Sequence, residues 1–403
     1  MLKILAAGTI EKSQHFWQDM TCDGSEPEFE KELKMPALSK LKQFDQSVWF
    51  DFIRRSLITS GELAGLAVQG VQGVTSNPAI FEKAIAGSSD YDEEMKALIT
   101  AGKSVSDIYE ALAIKDIQLA ADVMRSVYDA TGGRDGYVSL EVSPFLANDT
   151  PRTAAEARRL YQAVGRPNVM IKIPATAAGL PAITETIAAG VNVNVTLIFA
   201  LANYQAVADA YMAGLERLSV TGPSVTGGHP VNAVASVASF FVSRVDSAVD
   251  KELEKRGGSE LQGKIAIANC KLAYAEFKRI TASPRWKTLA ARGARAQRVL
   301  WASTSTKNPA YPDTLYVDEL IGPDTVNTMP PETVKAFIDH GRPAETLTQD
   351  LATARKQVGR LAELGIDFDG ITCRLQEEGV AAFAKPFQAL MDSIDAKRRR
   401  LMA

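Results

Sequence analysis

Apolar positions along the chain follow two rhythms that take turns. Short runs with a two-residue period, rich in β-branched and aromatic residues, occupy Ser47–Ile53, Val71–Ser76, Tyr137–Ser143, Asn168–Pro174, Val191–Phe199, Val231–Phe241, Arg298–Ser303 and Asp324–Met329. Between them lie longer stretches with helical spacing, among them Ser89–Ala101, Ser106–Ala130, Pro151–Val164, Leu180–Ala189, Leu201–Leu218 and Ser243–Arg256. Ser104 and Ser106 before one apolar run, and Thr150-Pro151 before another, supply helix-start signals. Strands alternating with helices predict parallel βαβ units, and eight units over about 290 residues predict an α/β fold, a single (β/α)8 TIM barrel. An open doubly wound sheet is the alternative, but the GxGxxG turn of a dinucleotide site is missing.

The ends break this rhythm. Residues 1–42 are polar, mixed in charge and contain Gly24-Ser25-Glu26-Pro27, which reads as an N-terminal extension. From Leu347 the pattern is wholly helical, with Leu347–Leu364 and Leu375–Met402 separated by Gly365–Ile371. The expected organisation is an extension over 1–42, a catalytic barrel over 43–346 and C-terminal helices packed on it over 347–403.

Composition narrows the class. With 403 residues, 46% of them apolar, the chain can bury a large core without disulfides or metal. Forty-five basic against 48 acidic residues leave a net charge of -3 and no basic stripe, so no nucleic-acid partner is expected. The run Lys397-Arg398-Arg399-Arg400 reads as cations that favour a helix C-terminus. Cys22, Cys270 and Cys373 form no CxxC pair, and His15, His229 and His340 are equally scattered, so no metal site is expected. The first apolar stretch is too short for a signal-peptide core and no window reads as a membrane span, which makes the cytoplasm the expected location, with no membrane partner.

Chemistry enters through strand parity. Alternate side chains of a barrel strand face the interior, and function gathers at the C-terminal strand ends. Val138, Leu140 and Val142 oppose Ser139, Glu141 and Ser143. Val169, Ile171 and Ile173 oppose Met170 and Lys172, while Val191, Val193, Val195 and Leu197 oppose Asn192, Asn194 and Thr196. Asp51, Thr75 and Asn77 extend the polar face, giving an interior layer of Asp51, Thr75, Asn77, Glu141, Lys172, Asn194 and Thr196. Such a layer is either a satisfied polar network or a reaction centre. The second reading is the expectation, because a purely structural barrel fills these positions with Val, Ile and Leu.

A strand lysine beside carboxylates, with no metal motif, suits Schiff-base chemistry on a carbonyl. Only the neutral amine attacks, and an unperturbed lysine, pKa ~10.4, is almost wholly protonated at pH 7. Burial between Ile171 and Ile173 favours the neutral form, whereas Asp51 and Glu141 favour the ammonium, and the sequence leaves that balance open. Glu141 is the candidate general acid/base, and the carboxamides and Thr196 can bind hydroxyls or hold a water.

At these same residues the sequence resembles the transaldolases. The run Gly73-Val74-Thr75-Ser76-Asn77-Pro78-Ala79-Ile80-Phe81-Glu82-Lys83 is similar to the family signature near the second strand. Ser47–Arg55, Ile171-Lys172-Ile173-Pro174 and Asn192-Val193-Asn194-Val195-Thr196-Leu197 also match, in the expected order. The resemblance runs from about residue 40 onwards and is greatest to the longer bacterial members. It implies transfer of a dihydroxyacetone unit from fructose 6-phosphate or sedoheptulose 7-phosphate to erythrose 4-phosphate or glyceraldehyde 3-phosphate, in the non-oxidative pentose phosphate pathway. No cofactor is implied. Lys172 would form the Schiff base, Glu141 would move protons through a water held by Thr196, and Asp51 would take the C4 hydroxyl proton. Thr75, Asn77, Asn194 and Ser239 match substrate-binding positions. Arg244 matches the phosphate arginine, and Ser305 and Lys307 fall in the second phosphate segment, where lysine stands in place of the usual arginine. Phe241 stands where related aldolases carry tyrosine, which favours transfer over simple cleavage. The resemblance also suggests that the C-terminal helices lie across the barrel mouth, although their apolar stripe fits ordinary docking equally well. A monomer or homodimer is expected. A simple aldolase, a pyridoxal-phosphate barrel and a sugar-phosphate-binding protein are the rival readings.

Overall fold

The computed structural model describes residues 37–220 and 231–402. Eight parallel strands close into a barrel in sequence order: β1 (Gln46–Phe50), β2 (Val71–Val74), β3 (Tyr137–Glu141), β4 (Val169–Pro174), β5 (Val193–Ile198), β6 (Ser236–Phe241), β7 (Arg298–Ala302) and β8 (Thr325–Met329). The (β/α)8 expectation holds, with every strand found and each shortened at one end or both, except that β1 begins one residue earlier than expected, at Gln46. The largest trim has a local cause. Val231–Ala233 forms a short 3-10 turn rather than strand, and β6 begins after the Asn192 side chain accepts the Ala235 N–H at 2.9 Å.

The register puts the predicted chemistry side by side. Glu141 on β3 is level with Lys172 on β4, Lys172 with Asn194 on β5, and Pro174 with Thr196. β5 shifts register against β6 between Val195 and Ile198. Within that shift Leu197 has φ of 62°, in the left-handed region. The expected alternation through Leu197 therefore stops at Thr196, because a bulge and not a regular pleat ends the strand.

At the opposite end the barrel is closed by an ionic plug. Arg298 pairs with Asp135 at 2.8 Å, both nearly inaccessible, and Asp135 also accepts from the Trp49 indole at 3.0 Å and the Ser47 hydroxyl at 2.8 Å. The Trp49 ring lies where a Cβ on Gly73 would come within 2.7 Å, so this strand position requires glycine. Leu38 and Leu41 are fully buried in the same core, although both fall within the stretch read as an extension. The rest of that expected extension, residues 1–36, lies outside the described residues, as do His15, Cys22 and His229.

Helix starts follow side-chain capping. Ser104 caps Val105–Ala130 in a reciprocal capping box with Asp107, whereas Ser106 is already inside the helix. Asp149, and not Thr150, caps the helix Thr150–Val164 by accepting the Arg152 N–H at 3.0 Å. Thr150 instead donates to the Ala178 carbonyl at 2.6 Å. The C-terminal helices are Leu351–Glu363 and Phe368–Met402. The second starts earlier than Leu375 because Asp367 accepts the Gly370 N–H at 2.8 Å, which caps a first turn there. Lys397 serves another helix than its own. It donates to the Ser88 carbonyl at 2.8 Å and pairs with Asp92, tying the chain end to the segment after Pro78–Ala86. No helix among the described residues is long and apolar enough to cross a membrane.

Candidate active site

A pocket of about 180 Å³ opens at the C-terminal ends of the strands. Ten predicted residues line it: Asp51, Thr75, Asn77, Lys172, Thr196, Ser239, Phe241, Arg244, Ser305 and Lys307. Glu141 and Asn194 stand directly behind this lining. The Lys172 Nζ is 3.5 Å from Glu141 Oε2, with side chains only 8% and 4% exposed. The same Nζ donates to the Ser76 carbonyl at 3.3 Å. Asn194 is fixed by the Ser139 hydroxyl at 3.1 Å and the Ser239 hydroxyl at 2.7 Å, which holds its strand rather than leaving both amide groups free.

Burial sets the electrostatics. It pushes the Glu141 carboxyl up to about 7, against the opposing pull of the Lys172 charge. Apart from Lys172, neither Glu141 oxygen has a hydrogen-bond partner among the described residues, and the buried Thr196 hydroxyl also has none there. Asp51 is raised by burial as well, and is opposed by Lys172 and by the Thr75 hydroxyl, which donates to Oδ1 at 2.6 Å. Two carboxyls near one amine thus occupy different surroundings. One is enclosed and titrates near neutrality, and the other is hydrogen-bonded at the pocket wall.

The rim carries positive charge. The Arg244 guanidinium lies 5.1 Å from the Phe241 ring centre and 5.9 Å from that of Phe383, and burial lowers its proton affinity. Held over these rings, the guanidinium keeps its N–H donors for an anion at the pocket mouth. Lys307 donates to the Ser305 hydroxyl at 2.7 Å. Asn77 commits its carbonyl oxygen to the Ile80 N–H at 3.1 Å as a helix cap, which leaves its amide N–H groups available.

Thr328, Ser303, Glu332 and Phe383 also line the pocket, and the sequence reading did not single them out. Thr328 Oγ1 lies 2.6 Å from Thr75 Oγ1, but β8 has polar residues at both parities, Asn327 and Thr328, so alternation could not identify its inner face. Phe383 belongs to the C-terminal helix Phe368–Met402, and its ring centre is 5.4 Å from Lys172 Nζ. Phe383 thus brings this helix to the barrel mouth. No local signal in an amphipathic helix would have marked Phe383.

A lysine facing a buried carboxyl on adjacent barrel strands, beneath a cationic rim, is an arrangement able to carry out carbonyl addition on an anionic substrate. Residues 48–394 match the family described as Transaldolase/Fructose-6-phosphate aldolase. The chain belongs to this family. Transaldolase of Parafrankia sp. (strain EAN1pec) is 51% identical over 362 residues, covering 89% of this chain and 96% of that one. Transaldolase of Trichodesmium erythraeum (strain IMS101) is 46% identical over 378 residues, or 90% and 98% of the two chains. Transaldolase 2 of Nostoc punctiforme is 47% identical over 375 residues, or 89% and 97%. This family member is an enzyme of the transferase type, built as a (β/α)8 barrel.

Proposed function

We propose that the enzyme transfers a dihydroxyacetone unit between sugar phosphates through a Schiff base on Lys172. The observation that carries this reading is the 3.5 Å approach of the Lys172 amine to the enclosed Glu141 carboxyl, inside a pocket rimmed by Arg244 and Lys307. A carboxyl that titrates near 7 can both give and take a proton at neutral pH, as imine formation requires.

In this mechanism the Lys172 amine adds to C2 of a ketose phosphate, fructose 6-phosphate or sedoheptulose 7-phosphate. Glu141 supplies the proton with which the C2 hydroxyl leaves as water, and the Thr196 hydroxyl orients the water that relays it. Asp51 then takes the C4 hydroxyl proton. The C3–C4 bond breaks, its electron pair moves into the iminium, and an aldose phosphate departs. The three-carbon enamine on Lys172 attacks the aldehyde carbon of erythrose 4-phosphate or glyceraldehyde 3-phosphate, and Asp51 returns its proton to the new hydroxyl. Hydrolysis of the new iminium restores the amine. Thr75, Asn77, Asn194 and Ser239 position the dihydroxyacetone hydroxyls, while Arg244, Ser305 and Lys307 receive the phosphate. Phe241 carries no hydroxyl to activate a water, so the enamine persists until an acceptor arrives. Residues 43–346 form the catalytic barrel in this reading and 347–403 the helices that cover it, and the reaction serves the cytoplasmic non-oxidative pentose phosphate pathway.

The test is a donor–acceptor experiment. With fructose 6-phosphate alone, transfer predicts product equal to the enzyme present and then arrest, and with erythrose 4-phosphate added it predicts continuous turnover. Steady release of free dihydroxyacetone without acceptor would instead establish a simple aldolase.

A further inference from the structure

We infer that Gln376 is a positioning residue that sets the Thr196 hydroxyl by holding the bulged end of β5 from the C-terminal helix. This inference rests on the role proposed above for Thr196.

Two independent observations meet at Leu197. Its φ of 62° is a conformation that an apolar residue with a Cβ adopts only under constraint, and it immediately follows Thr196. The constraint comes from far along the chain. The Gln376 amide nitrogen is 3.0 Å from the Leu197 carbonyl and 3.0 Å from the Ala175 carbonyl, the latter just beyond β4. It lies at the same distance from the Asn203 side-chain oxygen, and Asn203 itself donates to the Ala175 carbonyl at 3.0 Å. One amide thus ties together the ends of the strands that carry Lys172 and Thr196. One turn further along the helix, a Cβ on Gly379 would fall 2.8 Å from Leu197 Cδ2, so the glycine leaves the space in which the displaced leucine side chain sits.

The bulge and the latch have one geometric consequence. A regular β5 would carry its pairing with β6 straight through Thr196, whereas the shift between Val195 and Ile198 turns the backbone at the catalytic hydroxyl. The Thr196 Oγ1 is buried and has no hydrogen-bond partner among the described residues, so no side-chain hydrogen bond offsets a shift of the backbone that carries it. Gln376 is not among the residues that line the pocket, and its hydrogen bonds go to Ala175, Leu197 and Asn203, which makes its effect indirect.

Full-length Gln376→Glu keeps the shape of the side chain and removes both N–H donors. In assays with fructose 6-phosphate and erythrose 4-phosphate, kcat should fall about 100-fold, the scale of a small misplacement of a reacting group, while KM stays within about twofold. Gly379→Ala displaces the Leu197 side chain while keeping the Gln376 N–H donors, and should lower kcat in the same way. The decisive comparison is with Thr196→Ala. In that background, Gln376→Glu should change kcat by less than about threefold, because the group it positions is already gone. Wild-type kcat in both Gln376→Glu and Gly379→Ala would overturn the proposal, and so would full additivity with Thr196→Ala. A Thr196→Ala enzyme with undiminished kcat would remove the role of Thr196 itself, a failure of the preceding mechanism that is separable from failure of the latch.

Discussion

Replacing Glu141 by glutamine should separate the stability of this protein from its activity, with a pH signature. Burial moves the Glu141 carboxyl from its ordinary 4.5 to about 7. The folded state therefore holds this proton over a range in which the unfolded chain has released it. Below pH 4.5 both states are protonated and the residue carries no penalty. As pH rises towards 7 the unfolded state ionises first, and the folded state loses about 3 kcal/mol relative to it, after which the loss is constant. Glutamine does not ionise. The melting temperature of Glu141→Gln, compared with wild type, should therefore rise progressively between pH 4.5 and 7.5. With an unfolding entropy of about 2 cal/mol/K per residue, the gap should widen by about 4 °C. Loss of the proton-transferring group should meanwhile reduce kcat by about 100-fold or more, so the variant gains stability as it loses function. Scanning calorimetry of both proteins at four pH values measures the gap. A gap independent of pH, or one that closes as pH rises, would refute an enclosed carboxyl with a raised proton affinity.

Asp51→Asn should still form the Schiff base but fail to break the C3–C4 bond, so borohydride with fructose 6-phosphate should trap a six-carbon adduct; a three-carbon adduct would exclude Asp51 as the base. Arg244→Ala should lower kcat/KM for fructose 6-phosphate by about 10- to 100-fold, the range for a hydrogen bond to a charged group, and leave trapping of unphosphorylated dihydroxyacetone unchanged. An equal loss with both substrates would mean that Arg244 does not read phosphate. Gly73→Ala should cost about 1–3 kcal/mol by driving a methyl group into the Trp49 ring, measured by chemical denaturation. Unchanged stability would show that the ring has room to move.

The barrel was legible because its strands announce themselves twice, as alternation and as spacing. Lys172 stood out for a sharper reason: a charged residue between Ile171 and Ile173 contradicts its surroundings unless it does something. Parity then found Glu141 and Asn194, which the register puts level with Lys172. Arg244 and Lys307 lie beyond strand ends, where parity does not operate, and only similarity to a family marked them. Gln376 and Phe383 were beyond reach for a different reason. Their partners, Leu197 and Lys172, are nearly two hundred residues away or more, and an amphipathic helix looks the same whether it packs on a wall or over a mouth. The left-handed backbone at Leu197 was equally hidden, since no glycine or asparagine stands there to signal it. Asp149 and Thr150 show a smaller ambiguity: two good capping residues in succession, of which the fold uses the first.

The whole mechanism turns on Lys172 as the nucleophile and on transfer of its adduct to an acceptor. Incubation with fructose 6-phosphate, reduction with borohydride and peptide mass mapping test both parts together. A dihydroxyacetone-derived mass on Lys172, lost when erythrose 4-phosphate is added before reduction, is the predicted result. An adduct on any other lysine, or no adduct while the enzyme turns over, would contradict it.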